Sequence, residues 1–321
     1  MGFSLNYIMQ NILVTGASGL VGSALTKQLT EYSIFTPRST ELNLLNYEQV
    51  NQYLKNNKID AVIHLAANVG GLFKNMAQKV NMFEDNFLMN FNILRASHQN
   101  GVKKVISCLS TCIFPDNVKY PIGEKDLHLG PPHPSNDAYA YAKRMVDVQS
   151  RAYREQYGDN FVTIIPTNIY GPNDNYNLLD AHVIPALIHK CYLAKENNLE
   201  FVVKGSGKPL RQFIYSEDLA HLIKIVFLHY NESEPIILSV GETDEVSIGD
   251  VARLIAREYG MENKMVFETN AADGQFKKTA DNKKLIHFLK ENGMEIKWTS
   301  IQEGIKKSVD WFIKNYETVR K

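Results

Sequence analysis

A phenol has a reference pKa of about 10, too high for efficient acid–base work at neutral pH, and a nearby ammonium lowers it. The segment Tyr139-Ala-Tyr141-Ala-Lys143 offers that combination. Residues four apart share a helix face, whereas residues two apart point elsewhere, so the spacing pairs Tyr139 with Lys143 and sets Tyr141 aside. Lys143 is also placed to reach the ribose hydroxyls of a cofactor. Alone, the pattern fits equally an amphipathic helix with surface Tyr and Lys. Ser110 tips the balance, because it ends the preceding strand and active-site groups of open α/β sheets gather there.

A second kind of chemistry is written in Val14-Thr-Gly16-Ala-Ser18-Gly19-Leu20-Val21-Gly22. Its three glycines, three residues apart, stand between a strand-like run and a helical one. Glycine there permits a tight turn, a close approach of backbone to a pyrophosphate, and packing of helix on strand. Free N–H groups and the positive helix end then receive phosphates. A glycine-rich turn without a ligand is the bland alternative, and the strand–turn–helix context argues against it. NAD-selective folds carry an acid after the second strand. Here the chain reads Phe35-Thr-Pro-Arg38-Ser39-Thr40, with no acid before Glu41. Arg38 can pair with a 2′-phosphate, which favours NADP(H).

The elements that must position these groups alternate short apolar runs with helical patterns, the signature of a parallel sheet with crossover helices. Strands are expected at 11–15, 33–36, 60–65, 104–109 and 161–165, and helices at 20–29, 47–55, 80–99 and 137–156. Gly101 should cap the third of these helices in the left-handed conformation. Beyond residue 172 the pattern is mixed: helices at 183–194, 217–228, 248–258, 283–290 and 301–316, and strands at 201–203, 212–216 and 235–240. Ser216 is expected to cap one helix, and Ser300, with Glu303 three residues on, another. The fold class is therefore α/β, a doubly wound Rossmann-type parallel sheet with a smaller C-terminal α/β substrate domain. The expected division is 1–172 for the cofactor, with 212–241 returning to it, and 173–211 with 242–321 for the substrate.

Bulk properties set limits. Lys plus Arg number 35 and Asp plus Glu 35, so no global field invites nucleic acid. The hydrophobic share of 44% among 321 residues supports a sizeable core. Cys108, Cys112 and Cys191 form neither an even disulfide framework nor a metal-type Cys-x-x-Cys pair, which fits reduced thiols and no metal. The opening segment lacks a basic region and a long apolar run, and Asn6 stands where myristoylation wants Ser or Thr. No stretch approaches the ~18 apolar residues of a membrane helix. The expectation is a cytoplasmic enzyme that uses neither membrane nor nucleic acid.

The glycine turn, Ser110 and the Tyr139/Lys143 pair resemble the extended short-chain dehydrogenase/reductase superfamily. Further stretches narrow the resemblance to the GDP-L-fucose synthase family, the GDP-4-keto-6-deoxymannose 3,5-epimerase/4-reductases. They are Ala66-Ala67-Asn-Val-Gly-Gly71, Ser110-Thr-Cys112-Ile-Phe-Pro115, Pro166-Thr-Asn168-Ile-Tyr-Gly-Pro172 and His182-Val-Ile-Pro-Ala186. The match continues in Gly205-Ser-Gly207, Arg211-Gln-Phe-Ile-Tyr-Ser216 and Asp273-Gly-Gln-Phe-Lys-Lys278, and runs from about residue 11 to the end.

The resemblance implies NADPH-dependent formation of GDP-L-fucose: inversion at the two carbons flanking a ketone, then reduction of that ketone. It assigns the base and acid of inversion to Cys112 and His182, and the reduction to Ser110, Tyr139 and Lys143. It implies cofactor contacts at Gly16, Ser18, Gly19, Leu20, Val21, Gly22, Arg38, Ala66, Ala67, Lys143, Pro166 and His182. Substrate contacts are implied at Asn168, Lys190, Arg211 and Lys278, with Lys277 a further candidate cation. A homodimer through the helices at 80–99 and 137–156 also follows from it. Cys108 and Cys191 are read as packing residues. Two positions depart from the family pattern. Lys204 stands where an aromatic residue is expected, and Ser18 where some members place an arginine, which leaves more of the 2′-phosphate recognition to Arg38. A 4,6-dehydratase would need an acid where Thr111-Cys112 stand, a 4-epimerase an acid after the second strand, and a non-catalytic NADP-binding protein would not need Ser110, Cys112, Tyr139, Lys143 and His182 together.

Overall fold

The apolar runs become a single parallel sheet. In the computed structural model, which describes residues 9–270 and 277–321 apart from the side chains of Leu72 and Phe73, five early strands line up with a late one. They are β1 (Asn11–Thr15), β2 (Ser33–Phe35), β3 (Ala61–His64), β4 (Lys104–Cys108) and β5 (Phe161–Pro166). The strand Ile236–Leu238 joins them, and the order is Ile236–Leu238, β5, β4, β3, β1, β2, with every neighbouring pair parallel. Every residue of β3 and β5 is buried, as continuous apolar runs covered on both faces require.

Helices cover both faces. On one side α1 (Leu20–Thr26), α7 (Ser216–His229) and α9 (Lys283–Glu291) share an apolar core with inward residues of β1 and β3. On the other, α2 (Tyr47–Asn56), α4 (Lys79–Gln99) and α5 (Asp137–Tyr157) form a second core. A short α3 (Leu72–Ala77) precedes α4. A third core joins α6 (Val183–Glu196), α8 (Ile248–Tyr259) and α10 (Ile301–Lys314) around Tyr170, Tyr176, Phe201 and Phe312.

Most expected elements form within a few residues of their predicted bounds. Gly101 is left-handed, with φ of +64°, and the Ser300 side chain accepts from Glu303 N at 3.2 Å. Ser216 is a correction: it is the first residue inside α7, Tyr215 holds the cap position, and no side chain caps that end. The pairs Asn168–Tyr170 with Phe213–Tyr215, and Leu210–Arg211 with Val246–Ser247, were not anticipated, since two or three residues carry no readable period. Asp273, Gly274, Gln275 and Phe276 of the motif that ends in Lys278 lie outside the described residues, as do residues 1–8.

Candidate active site

Strand order reverses between β1 and β3, and ligands of such sheets bind in the crevice outside the carboxyl ends at that point. Gly16 follows β1 with φ of +72°, and an added Cβ would stand 2.8 Å from the backbone nitrogen of Ala66, which follows β3. Gly19 N donates to Gly16 O at 3.0 Å, closing the turn. A Cβ on Gly22 would stand 2.5 Å from Ala17 Cα and nearer still to the Gly16 carbonyl oxygen. The turn, α1 and the Ala66–Ala67 loop are thus pressed backbone to backbone, leaving a surface without side chains at the end of β1.

A buried chain of hydrogen bonds holds that loop in place. Ala66 N donates to Thr15 Oγ1 at 3.2 Å, and the Thr15 hydroxyl meets His64 Nδ1 at 2.7 Å. His64 Nε2 lies 2.9 Å from Asn90 Oδ1, an atom that can only accept, so Nε2 carries the proton and Nδ1 accepts from Thr15. Burial first, and then the charge of Lys143, push His64 down to about 3, so the ring is neutral. Beyond β2, Arg38 is exposed. Its backbone N–H donates to Glu41 Oε2 at 2.7 Å, so the first acid after the second strand is engaged in folding its own turn. Ser18 is exposed on the glycine turn.

At the end of β4, Ser110 is extended, and its Oγ accepts from Cys112 N at 3.4 Å, starting the short turn Thr111–Ile113. Across from it α5 presents Tyr139, 9% exposed, and Lys143, 2% exposed, whereas Tyr141 is 40% exposed and carries the Arg144 guanidinium 5.6 Å from its ring. The helix face inferred from spacing is the face that turns inward. The electrostatics differ from expectation. Burial, followed by the Cys112 and Cys108 thiols, holds Tyr139 well above the usual phenol range, and the Lys143 ammonium donates to the Cys108 carbonyl at 2.9 Å. Burial lowers Lys143, against the pull of the two thiols. Cys108, expected to be a packing residue, therefore adjoins the site. Cys191 is buried in the third core, as expected, with burial pushing its thiol up to about 12.

Cys112 lines a small cavity with Asp116, Tyr120, His133, Asn136 and Lys278. Burial pushes its thiol up, while Lys278 first, then the Ser110 hydrogen bond and Lys143, favour the thiolate. Burial lowers Lys278 as well, Cys112 opposes that, and Arg211 adds to it, so Arg211, Lys278 and Cys112 converge. His133 and Asn136 escaped sequence reasoning. Asn136 occupies the cap position of α5 without making the side-chain cap bond, and its buried Oδ1 has no partner among the described residues. His133 Nδ1 accepts from Ser135 N at 3.2 Å, which leaves Nε2 as a donor. The only sequence signal was an Asn directly ahead of the helix that carries Tyr139.

The remaining predicted residues do not all join this group. His182, at the cap position of α6, lines a separate cavity with Asp174, Asp180 and Arg320. The enclosing protein lowers its pKa, Asp180 raises it, and Arg320 lowers it. Although its side chain is exposed to that cavity, the surroundings are dense enough for desolvation to dominate. Pro166 is buried at the end of β5. Asn168 Nδ2 donates to Gln212 O at 2.9 Å and so holds the segment that carries Arg211. Half-buried Lys190 feels Lys204 and Glu268 rather than the Cys112 group, and Lys204 is exposed. Lys277 pairs with Glu242 at 3.3 Å and Glu245 at 3.6 Å.

A dinucleotide crevice at a β1/β3 switch point, with a serine, a tyrosine and a lysine at the ends of β4 and α5, defines a dinucleotide-dependent enzyme of the Rossmann type. The chain belongs to the NAD dependent epimerase/dehydratase family, whose model matches residues 12–241, and within it to the GDP-L-fucose synthases. It is 52% identical over 318 residues to GDP-L-fucose synthase of Dictyostelium discoideum, covering 97% of this chain and 98% of that protein. Identity to the GDP-L-fucose synthase of Escherichia coli K12 is 32% over 325 residues, with 97% and 99% covered. Among solved structures, a GDP-L-fucose synthetase from Naegleria fowleri bound to NADP matches with a TM-score of 0.90 and 47% identity, covering 97% of this chain and 95% of that one.

Proposed function

We propose that this protein converts GDP-4-keto-6-deoxy-D-mannose to GDP-L-fucose with NADPH, by inversion at the carbons on either side of the ketone followed by its reduction. The observation that carries the reading is the Cys112 pocket: an ionisable thiol beside Lys278, within the field of Lys143 and next to Tyr139. A simple reductase has no use for that thiol, and an inverting enzyme needs a base there.

The backbone surface at Gly16, Gly19 and Gly22, with Leu20 and Val21 opening α1, fits a pyrophosphate, and exposed Arg38 fits a 2′-phosphate. Ser18, Ala66, Ala67 and Pro166 complete that wall. Bound there, NADPH supplies the hydride for the ketone carbon. Tyr139 gives its proton to the ketone oxygen, and burial suits the task by keeping the phenol protonated until charge develops. Ser110 donates a hydrogen bond to the same oxygen. Lys143, held by the Cys108 carbonyl, supplies the positive charge that stabilises the phenolate left behind.

For inversion, Cys112 takes a proton from the carbon beside the ketone and His182 returns one to the opposite face. Arg211, Lys278, Lys190 and Asn168 hold the GDP-sugar. The acid and base line different cavities, and the sugar ring lies between them. Residues 1–172 with 212–241 form the cofactor unit, and 173–211 with 242–321 the substrate unit, a division supported by the pairing of Ile236–Leu238 with β5 and by the separate third core.

We assign a homodimer to the face of α4 and α5, where Phe83, Leu88, Tyr141 and Val148 are exposed and Phe83, Phe87 and Phe91 stack in a row. No helix among the described residues is long and apolar enough to cross a membrane, and three free cysteines fit a reducing, cytoplasmic setting. Cys112→Ser tests the base. With the keto sugar in deuterated water and NADPH withheld, wild type should place deuterium at both flanking carbons, and the variant should place almost none. Wild-type exchange in the variant would remove Cys112 from the role.

A further inference from the structure

Two inversions by one acid and one base leave an unpaid proton account. In the first, the Cys112 thiolate takes a proton as a C–H bond breaks, and the electron pair enters the enolate formed with the ketone. His182, as imidazolium, then gives its N–H proton to the other face of the same carbon. The products of that event are a thiol and a neutral imidazole. The second inversion needs a thiolate and an imidazolium again. One proton must therefore leave Cys112 and one must arrive at His182, with no net change. The two groups line different cavities.

His182 faces a cavity of about 300 Å3 bounded by three separate segments. Val69, Gly70 and Lys74 come from the region after β3, Asp174 and Asp180 from the loop before α6, and Arg320 and Lys321 from the chain end. The three are tied together. Gly71 N donates to Asp180 O at 2.8 Å, and Tyr176 N donates to Arg320 O at 2.8 Å. A water needs roughly 10–15 Å3 of space for its centre, so this volume has room for several waters. Within it Asp174 is unusual. It is 4% exposed, its Oδ1 accepts from Asn175 N at 2.7 Å, and its Oδ2 has no partner among the described residues. A buried carboxylate oxygen without a protein partner costs free energy and so calls for a functional reason or a bound water.

We propose that this cavity is the proton route that recharges His182 between the two inversions, and that Asp174 is its relay group. The proposal rests on the reading of His182 as the acid. Burial, against the Asn175 N–H bond and the charge of Arg320, pushes Asp174 up to about 7, so both its protonated and ionised forms are populated near neutrality. Asp180 and Arg320 act on His182 in opposite directions, and Lys74 and Lys321 are the other charges facing the cavity. Asp174 acts through His182 and is a positioning residue for protons.

Asp174→Asn keeps the shape and the Oδ1 acceptor and removes the titrating group. With the full-length variant, the keto sugar and no NADPH, the first inversion should keep its rate. The second should slow about tenfold or more, so that a singly inverted sugar accumulates in rapid-quench samples. Imidazole added as a small proton carrier should restore the second step in a saturable manner, while leaving wild type unchanged. Val69→Trp, at a cavity position 44% exposed, narrows the same route without touching Asp174 and should give the same signature. Normal second inversions in both variants, or slowing that imidazole does not relieve, would overturn the relay. Normal inversion in His182→Asn would instead overturn the acid assignment on which it rests.

Discussion

Gly22→Ala adds one methyl group at the tightest point of the candidate cofactor turn. The new Cβ would lie 2.5 Å from Ala17 Cα, 2.8 Å from Ala17 C, and nearer still to the Gly16 carbonyl oxygen. All three are backbone atoms, so no side chain can swing aside. Overpacking of this kind costs about 1–3 kcal/mol, and a backbone clash belongs at the upper end. Alanine returns about 1 kcal/mol of helix propensity within α1, which leaves a net cost near 2 kcal/mol. If the turn opens to relieve the clash, that cost falls on cofactor binding as a loss of roughly 30-fold in affinity. Gly19→Ala is the internal comparison: its Cβ meets only Gly16 O, at 3.3 Å, so a shift of a few tenths of an ångström suffices. Titration by NADPH fluorescence, with melting temperatures for both variants, reads the outcome. Unchanged affinity and unchanged melting in Gly22→Ala would refute the close packing of turn on helix and, with it, the pyrophosphate surface.

Tyr139→Phe should lower NADPH oxidation about 10²-fold or more while cofactor affinity stays within a few-fold, and Tyr141→Phe should be mild, because only Tyr139 faces inward. Steady-state rates and NADPH titrations of the pair check this. Arg38→Ala should weaken NADPH about tenfold or more and NADH much less, the value of one charge-assisted bond of about 1.5–3 kcal/mol. Equal losses for the two cofactors in parallel titrations would free Arg38 of the specificity role. His64 should make the protein acid-sensitive: its pKa is 6.5 when unperturbed and about 3 in the fold, so as pH falls through that window the unfolded chain takes up a proton that the folded one refuses. Its contribution to stability is present above pH 6.5 and is lost on acidification at up to about 1.4 kcal/mol per pH unit, and His64→Gln should flatten that slope in denaturant titrations.

The sheet and the helix face of Tyr139 and Lys143 were legible because buried strands and amphipathic helices carry periods that survive in any sequence. The glycine turn was legible because only glycine tolerates the contacts of Gly16 and Gly22. Other features depend on what folding brings together. The elevated phenol of Tyr139 comes from desolvation and from two thiols, and spacing along a helix registers neither. Cys108 read as a packing residue because its side chain lies within a strand, and the group that meets Lys143 is its carbonyl. Lys278 reaches Cys112, and Arg211 reaches Lys278, from segments far apart in the chain, so only the family resemblance could suggest them. Asn136 stands directly ahead of α5, and nothing in the sequence singled out Asp174. Their unpartnered oxygens exist only once the chain has closed around them.

The central claim is tested most directly by supplying the purified protein with GDP-4-keto-6-deoxymannose and NADPH in deuterated water and identifying the sugar formed. The account predicts GDP-L-fucose, with solvent deuterium at both carbons that flanked the ketone and with NADPH consumed one for one. A reduced 6-deoxy sugar that keeps its original configuration and carries no deuterium at those carbons would contradict it, leaving a reductase in which Cys112 and His182 move no protons.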